Sequence, residues 1–144
     1  MYEYNAKILK VVDGDTVDID IDLGFDIIIK DERVRLAGID TPEKRTRDLE
    51  EKKFGKLSTA FLQERLIVGE TYKLVTKKYD SKGKFGRIIG DFHIFNETNK
   101  TWKSVCDLMI ENRMAVPYHG QSKEDIKDLH ETNRKYLYEK GIIE

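Results

Sequence analysis

The chain has one cysteine, Cys106, so an internal disulfide is excluded and nothing covalent can staple the fold. Cys106 falls in an apolar helical pattern and reads as a small core residue. No apolar run is long enough to span a bilayer, and no signal-peptide core follows Met1. The chain is therefore expected to stay within the cell that makes it, in the cytoplasm, with no membrane partner. His93, His119 and His130 are scattered, so no His/Cys cluster exists for zinc. Internal repeats and low-complexity tracts are absent. The chain also lacks an excess of positive charge: its formal net charge is −1. Taken alone, that argues against a nucleic-acid partner.

What is present favours one folded domain over residues 1–144. Apolar residues make up 39% and charged residues 37%, and the apolar ones are patterned, which excludes disorder. The charge is also unevenly placed. Residues 1–43 hold 5 Lys/Arg against 11 Asp/Glu, and residues 44–87 hold 13 against 6. An acidic, cation-seeking segment thus precedes a basic one that can meet phosphates. The plainer alternative is that the lysines only solvate a helix and a hairpin.

The local patterns predict a meander, a helix, a hairpin and two further helices. Tyr4–Val12 reads as a first strand, broken by Asp13-Gly14-Asp15, where Gly14 can supply positive φ. Val17, Ile19, Ile21 and Leu23 alternate with Asp18, Asp20 and Asp22, the pattern of a strand. The aspartate row reads as the wet face of an edge strand; it lacks the glycine and glutamate positions of an EF-hand loop. Phe25–Ile29 reads as the next strand, with a bulge or turn at Asp31-Glu32. Thr41-Pro42-Glu43 has the form of a helix entry. Lys44–Lys53 reads as a loop passing into a helix that carries Phe54, Leu57, Phe61, Leu62 and Leu66 on one face. Thr71–Lys78 and a strand opening at Phe85-Gly86-Arg87 flank a turn at Tyr79–Lys84. Thr101 is placed to cap a helix bearing Val105, Met109 and Ile110. Met114–Val116 reads as a short strand, and Ser122 as the cap of a last helix. Five short strands with a helix between the third and fourth suit an OB-type barrel with about three packed helices, an α+β fold.

Two stretches carry chemistry: Val12-Asp13-Gly14-Asp15-Thr16 and Ile39-Asp40-Thr41-Pro42-Glu43. Hydrolysing a phosphodiester requires offsetting charge that accumulates on phosphorus-bound oxygens. Asp15 and Asp40, from separate strands, make half a shell of hard oxygen ligands, and the Thr41 carbonyl adds another. Water and phosphate would complete the roughly 6–8 oxygens typical of Ca²⁺. Glu43, across the proline turn, is placed to act as a general base. Arg35 and Arg87 offer planar forks for phosphate oxygens, a geometry Lys cannot replace. Singly, each signal has a plain structural reading: a hairpin turn, a helix cap, a surface ion pair. Their conjunction is what favours a site.

Three ordered motifs, Val12–Val17, Arg35–Glu43 and Lys84-Phe85-Gly86-Arg87, make the sequence resemble the staphylococcal-nuclease (thermonuclease) family. The resemblance implies an OB barrel with packed helices and Ca²⁺-dependent cleavage of DNA and RNA that leaves 3′-phosphates. It implies that Asp15, Asp40 and the Thr41 carbonyl hold Ca²⁺, with Asp13 just behind. Arg35, Glu43 and Arg87 would be the catalytic trio. Lys84, Phe85 and Tyr118 would lie near the nucleotide, with Phe85 where the family often has Tyr. The segment Val17–Arg35 is longer than in the secreted enzymes, the loop after Glu43 is rewritten, and the family's late Trp is missing, so Tyr136 and Leu137 are expected to anchor the last helix. Absence of a leader resembles members carried inside cells or by phages, and action as a monomer is expected. The rival readings are a non-catalytic binding or scaffold module of the same family and a bare Ca²⁺-binding structural domain.

Overall fold

A computed structural model of the chain describes residues 2–76 and 87–144. The first three strands, β1 (Tyr2–Asp13), β2 (Thr16–Asp22) and β3 (Ile28–Leu36), form the expected antiparallel meander. Alternation buries Val17, Ile19 and Ile21, whereas Leu23 lies past the strand and is exposed. β2 is not an edge strand, because it pairs with β1 on one side and β3 on the other. Its aspartates are accordingly answered from β3: the Arg33 Nε donates to Asp18 at 2.8 Å, and the Asp31 amide to Asp20 at 2.9 Å. Phe25 does not start a strand. Gly24, Phe25 and Asp26 all have positive φ and form the turn, and pairing resumes at Ile28. The bulge expected at Asp31 is present: its φ is +53°, where the β2–β3 register shifts.

The short β4 (Ile39–Asp40) follows, then α1 (Leu49–Arg65). Thr41-Pro42-Glu43 does not enter a helix. Thr41 is buried toward Gly14, and the cap is Asp48, whose carboxylate accepts from the Glu50 and Glu51 amides at 3.0 and 3.2 Å. Next come β5 (Thr71–Thr76) and β6 (Ile88–Asn96). The turn expected at 79–84 and the strand opening at Phe85-Gly86 lie outside the described residues. Thr101 does not cap a helix: it starts β7 (Thr101–Ser104), paired with His93–Asn96. Ser104 caps α2 (Val105–Glu111) instead, held by the buried Asp91, which also accepts from the Cys106 amide at 3.1 Å. β8 (Val116–Pro117) pairs with β4, and Ser122 caps α3 (Lys123–Glu139) as the sequence indicates.

The large sheet runs β3-β2-β1-β5-β6-β7, and β3 also pairs in parallel with β6 through Val34–Leu36 and Ile88–Gly90. Five strands thereby close into a ring, as an OB-like α+β fold requires. Inside it pack Ile8, Val17, Ile19, Val34, Leu74 and Phe92, capped by Phe54 and Leu62 of α1, Met109 of α2 and Leu137 of α3. Each such side chain contributes about 1.5–3 kcal/mol by leaving water. Cys106 is buried, as expected, and Leu137 anchors the last helix with Tyr136 partly buried beside it.

Candidate active site

The β1–β2 turn and the loop after β4 meet at one end of the ring. The turn is tight, with Asp13 opposite Thr16, so Asp15 sits at its corner. Gly14 does not have positive φ there. Its reason is crowding: an added Cβ would come within 2.9 Å of the Ser58 Cβ on α1. Gly55 does the same for the second loop. A Cβ on it would lie 2.5 Å from the Glu43 carbonyl oxygen, so the loop rests directly on the helix backbone. Lys44 ties the two loops together, donating to the Val12 carbonyl at 2.7 Å and pairing with Asp13 at 3.8 Å.

Arg35 occupies the centre. It stands opposite Thr16 on β2 and Ile89 on β6. Its Nη1 donates to the Leu36 carbonyl at 3.0 Å and lies 3.4 Å from Asp15. Its Nη2 donates to the Ile39 carbonyl at 3.0 Å and lies 4.0 Å from Asp40. One guanidinium thus bridges the two acids the sequence singled out. Asp40 is held from its other side by His130 of α3, whose Nε2 is 2.7 Å from Oδ2. Nothing in the sequence marks that contact, since the partners are 90 residues apart.

Glu43 stays largely open to solvent. Its carboxyl is nevertheless pushed above its ordinary value, first by partial burial and then by the charges of Asp15, Asp13, Glu51 and Asp40. Asp13, Asp15, Asp40 and Glu43 therefore share one field. Thr41 is buried next to Asp40. Arg87 is partly buried, two residues ahead of the Arg35 partner Ile89. Tyr118 has an exposed ring, and its amide donates to the Gly38 carbonyl at 2.8 Å, which seats it beside β4. Lys84 and Phe85 lie outside the described residues.

Among the described residues, no three His, Cys, Asp or Glu side chains converge to hold an ion by themselves. The donors expected from the sequence would be the Asp15 and Asp40 carboxylates, which share Arg35, and the Thr41 carbonyl. All are oxygens, which fits a hard cation that keeps water and substrate oxygens in its shell.

Over residues 33–138 the chain matches the staphylococcal nuclease homologue family, and it belongs to that family. It is similar to a thermonuclease of Staphylococcus intermedius, 38% identical over 82 residues, which cover 56% of this chain and 43% of that protein. It is also similar to an uncharacterized endonuclease of Escherichia coli, 31% identical over 91 residues, covering 63% and 49%. The alignments span less than half the length of either relative. No helix among the described residues is long and apolar enough to cross a membrane.

Proposed function

We propose that this chain is a Ca²⁺-dependent nuclease that hydrolyses phosphodiester bonds of DNA and RNA with little sequence specificity, leaving 3′-phosphates. The observation that carries this reading is Arg35 bridging Asp15 and Asp40, with the raised carboxyl of Glu43 in the same field. Family membership and the names of the two relatives point the same way. Asp15, Asp40 and the Thr41 carbonyl would hold the ion. When bound, Ca²⁺ supplies positive charge against the phosphate and favours ionisation of water.

The chain's own residues do the rest. Glu43, with its elevated proton affinity, accepts a proton from the attacking water. Arg35, aligned by two carbonyls, presents its remaining N–H donors toward the acids' side of the ring. Arg87 supplies a second fork, so charge gathering on the equatorial oxygens meets two guanidinium groups. Lys84, with Phe85 or Tyr118, would hold phosphate and stack on a base; neither contact reads a base edge, which is why little sequence preference is expected.

Incubation of supercoiled plasmid with Ca²⁺ or with chelator tests the reading. Nicking in Ca²⁺ alone, with phosphate on the 3′ ends, is expected. Binding without nicking in either condition would instead indicate a non-catalytic module.

A further inference from the structure

One side of the candidate site is a cleft of about 240 Å³ between the Asp40–Glu43 loop and α3. From α3 it receives Lys123, Lys127, His130 and Arg134. Their spacing of four, three and four residues puts all of them within an arc of about 60° on a helix of 3.6 residues per turn.

The two halves of this stripe behave differently. His130 and Arg134 are committed to holding α3 in place, the first on Asp40 at 2.7 Å and the second on Glu50 at 3.6 Å. Lys123 and Lys127 are exposed where they line the cleft, and among the described residues their ammonium groups have no hydrogen-bond or ion-pair partner. Glu43 and Glu51 line the same cleft without capturing them. A stripe present only to neutralise those acids would be paired along its length. Like charges one turn apart also oppose the helix that carries them. These two lysines therefore raise local positive potential without a partner among the described residues that uses it.

We infer that this cleft seats the nucleic-acid strand beside the scissile bond, with Lys123 and Lys127 on a phosphate neighbouring the one attacked. The inference rests on the nuclease reading and adds to it a second phosphate subsite, on α3. Contacts from flexible ammonium groups to phosphate position a strand and carry no sequence information. They also release counterions, which makes their contribution measurable through salt.

The test measures binding of a short single-stranded thymidine oligonucleotide in chelator across a range of salt, by fluorescence anisotropy. Three proteins are compared: wild type, the double variant Lys123→Gln/Lys127→Gln, and the control Lys135→Gln/Lys140→Gln, which removes the same charge from other faces of the C-terminal segment. With about 0.7 of log–log salt slope per phosphate contact on single strands, loss of this one subsite in the first double variant should take about 0.7 from the slope and weaken binding several-fold near physiological salt. The control should keep the wild-type slope. An unchanged slope in the first variant, an equal loss in the control, or wild-type protein that shows no salt-dependent binding overturns the inference. Cleavage of the same oligonucleotide by wild type in Ca²⁺ is scored separately. Slope loss without cleavage supports the strand seat while removing the nuclease reading; cleavage without slope loss removes the seat alone.

Discussion

The two arginines of the candidate site have different duties. Arg35 donates to the Leu36 and Ile39 carbonyls as well as facing both acids, so it is part of the scaffold it serves. Arg35→Lys keeps the charge and loses the fork. It should cost about 1.5–3 kcal/mol of stability along with activity, read from denaturant unfolding and turnover. Arg87→Ala should lower kcat by roughly 10²-fold with little change in nucleotide affinity, because charge builds on phosphate only during attack. Near-normal turnover in that variant would remove Arg87 from the site.

Glu43 gives a pH signature. Its folded-state carboxyl holds its proton more tightly than the ordinary value of 4.5. The folded state thus favours the protonated form, so stability is undiminished well below 4.5, falls as pH rises through the raised value, and stays lower above it. In chelator, Glu43→Gln should melt above wild type at neutral pH and alongside it at strongly acid pH. A variant that melts below wild type at neutral pH would mean that the carboxylate is held by contacts rather than crowded.

Among the elements, α1 sets the site through what it omits. Gly55 and Ser58 are small and buried, which lets the two acid-bearing loops lie against the helix. Gly→Ala in a helix interior ordinarily gains up to about 1 kcal/mol. Here the added methyl meets Glu43 backbone at 2.5 Å. Gly55→Ala should therefore destabilise, by roughly 1–3 kcal/mol, and should also displace Glu43 and slow cleavage. Equilibrium unfolding and kinetics on one preparation test this; a stabilised, fully active variant would show that the loop yields freely.

The same helix marks the limits of reading elements from local pattern. The apolar face Phe54–Leu66 was legible because it repeats at helical spacing within the segment. Its start was not: Thr41-Pro42 looks like a cap, but Thr41 is drawn into the interior beside Gly14, leaving Asp48 to satisfy the first amides. Thr101 misled similarly, since pairing with β6 outweighed its capping propensity. Gly14 was rightly placed in a turn for a wrong reason, helix proximity instead of positive φ.

For the whole molecule, closure of the ring is what joins separate motifs into one site. The acids and Arg35 were legible because each lies in a short contiguous motif whose turn chemistry is local. His130 and the basic face of α3 were not, because only docking of the last helix brings them to Asp40. At the assembled end Asp13, Asp15, Asp40 and Glu43 crowd together, and Arg35 and Lys44 contact three of the four. A cation binding only the folded chain should relieve that crowding, adding about 2.7 kcal/mol at one hundred times its dissociation constant. Wild-type protein should then melt on the order of 5–10 °C higher in Ca²⁺ than in chelator. An unmoved melt would show that these acids are structural.

The most direct test is a Ca²⁺ titration of cleavage by wild type and Asp40→Asn, which keeps the side-chain shape and removes the charge. Wild type should be inactive in chelator and rise saturably with Ca²⁺. The variant should need more Ca²⁺ and remain roughly 10²-fold or more slower at saturation. Wild-type cleavage undiminished by chelator, or a variant that matches wild type across the titration, would contradict the assignment of Asp40 and the metal-dependent site built around it.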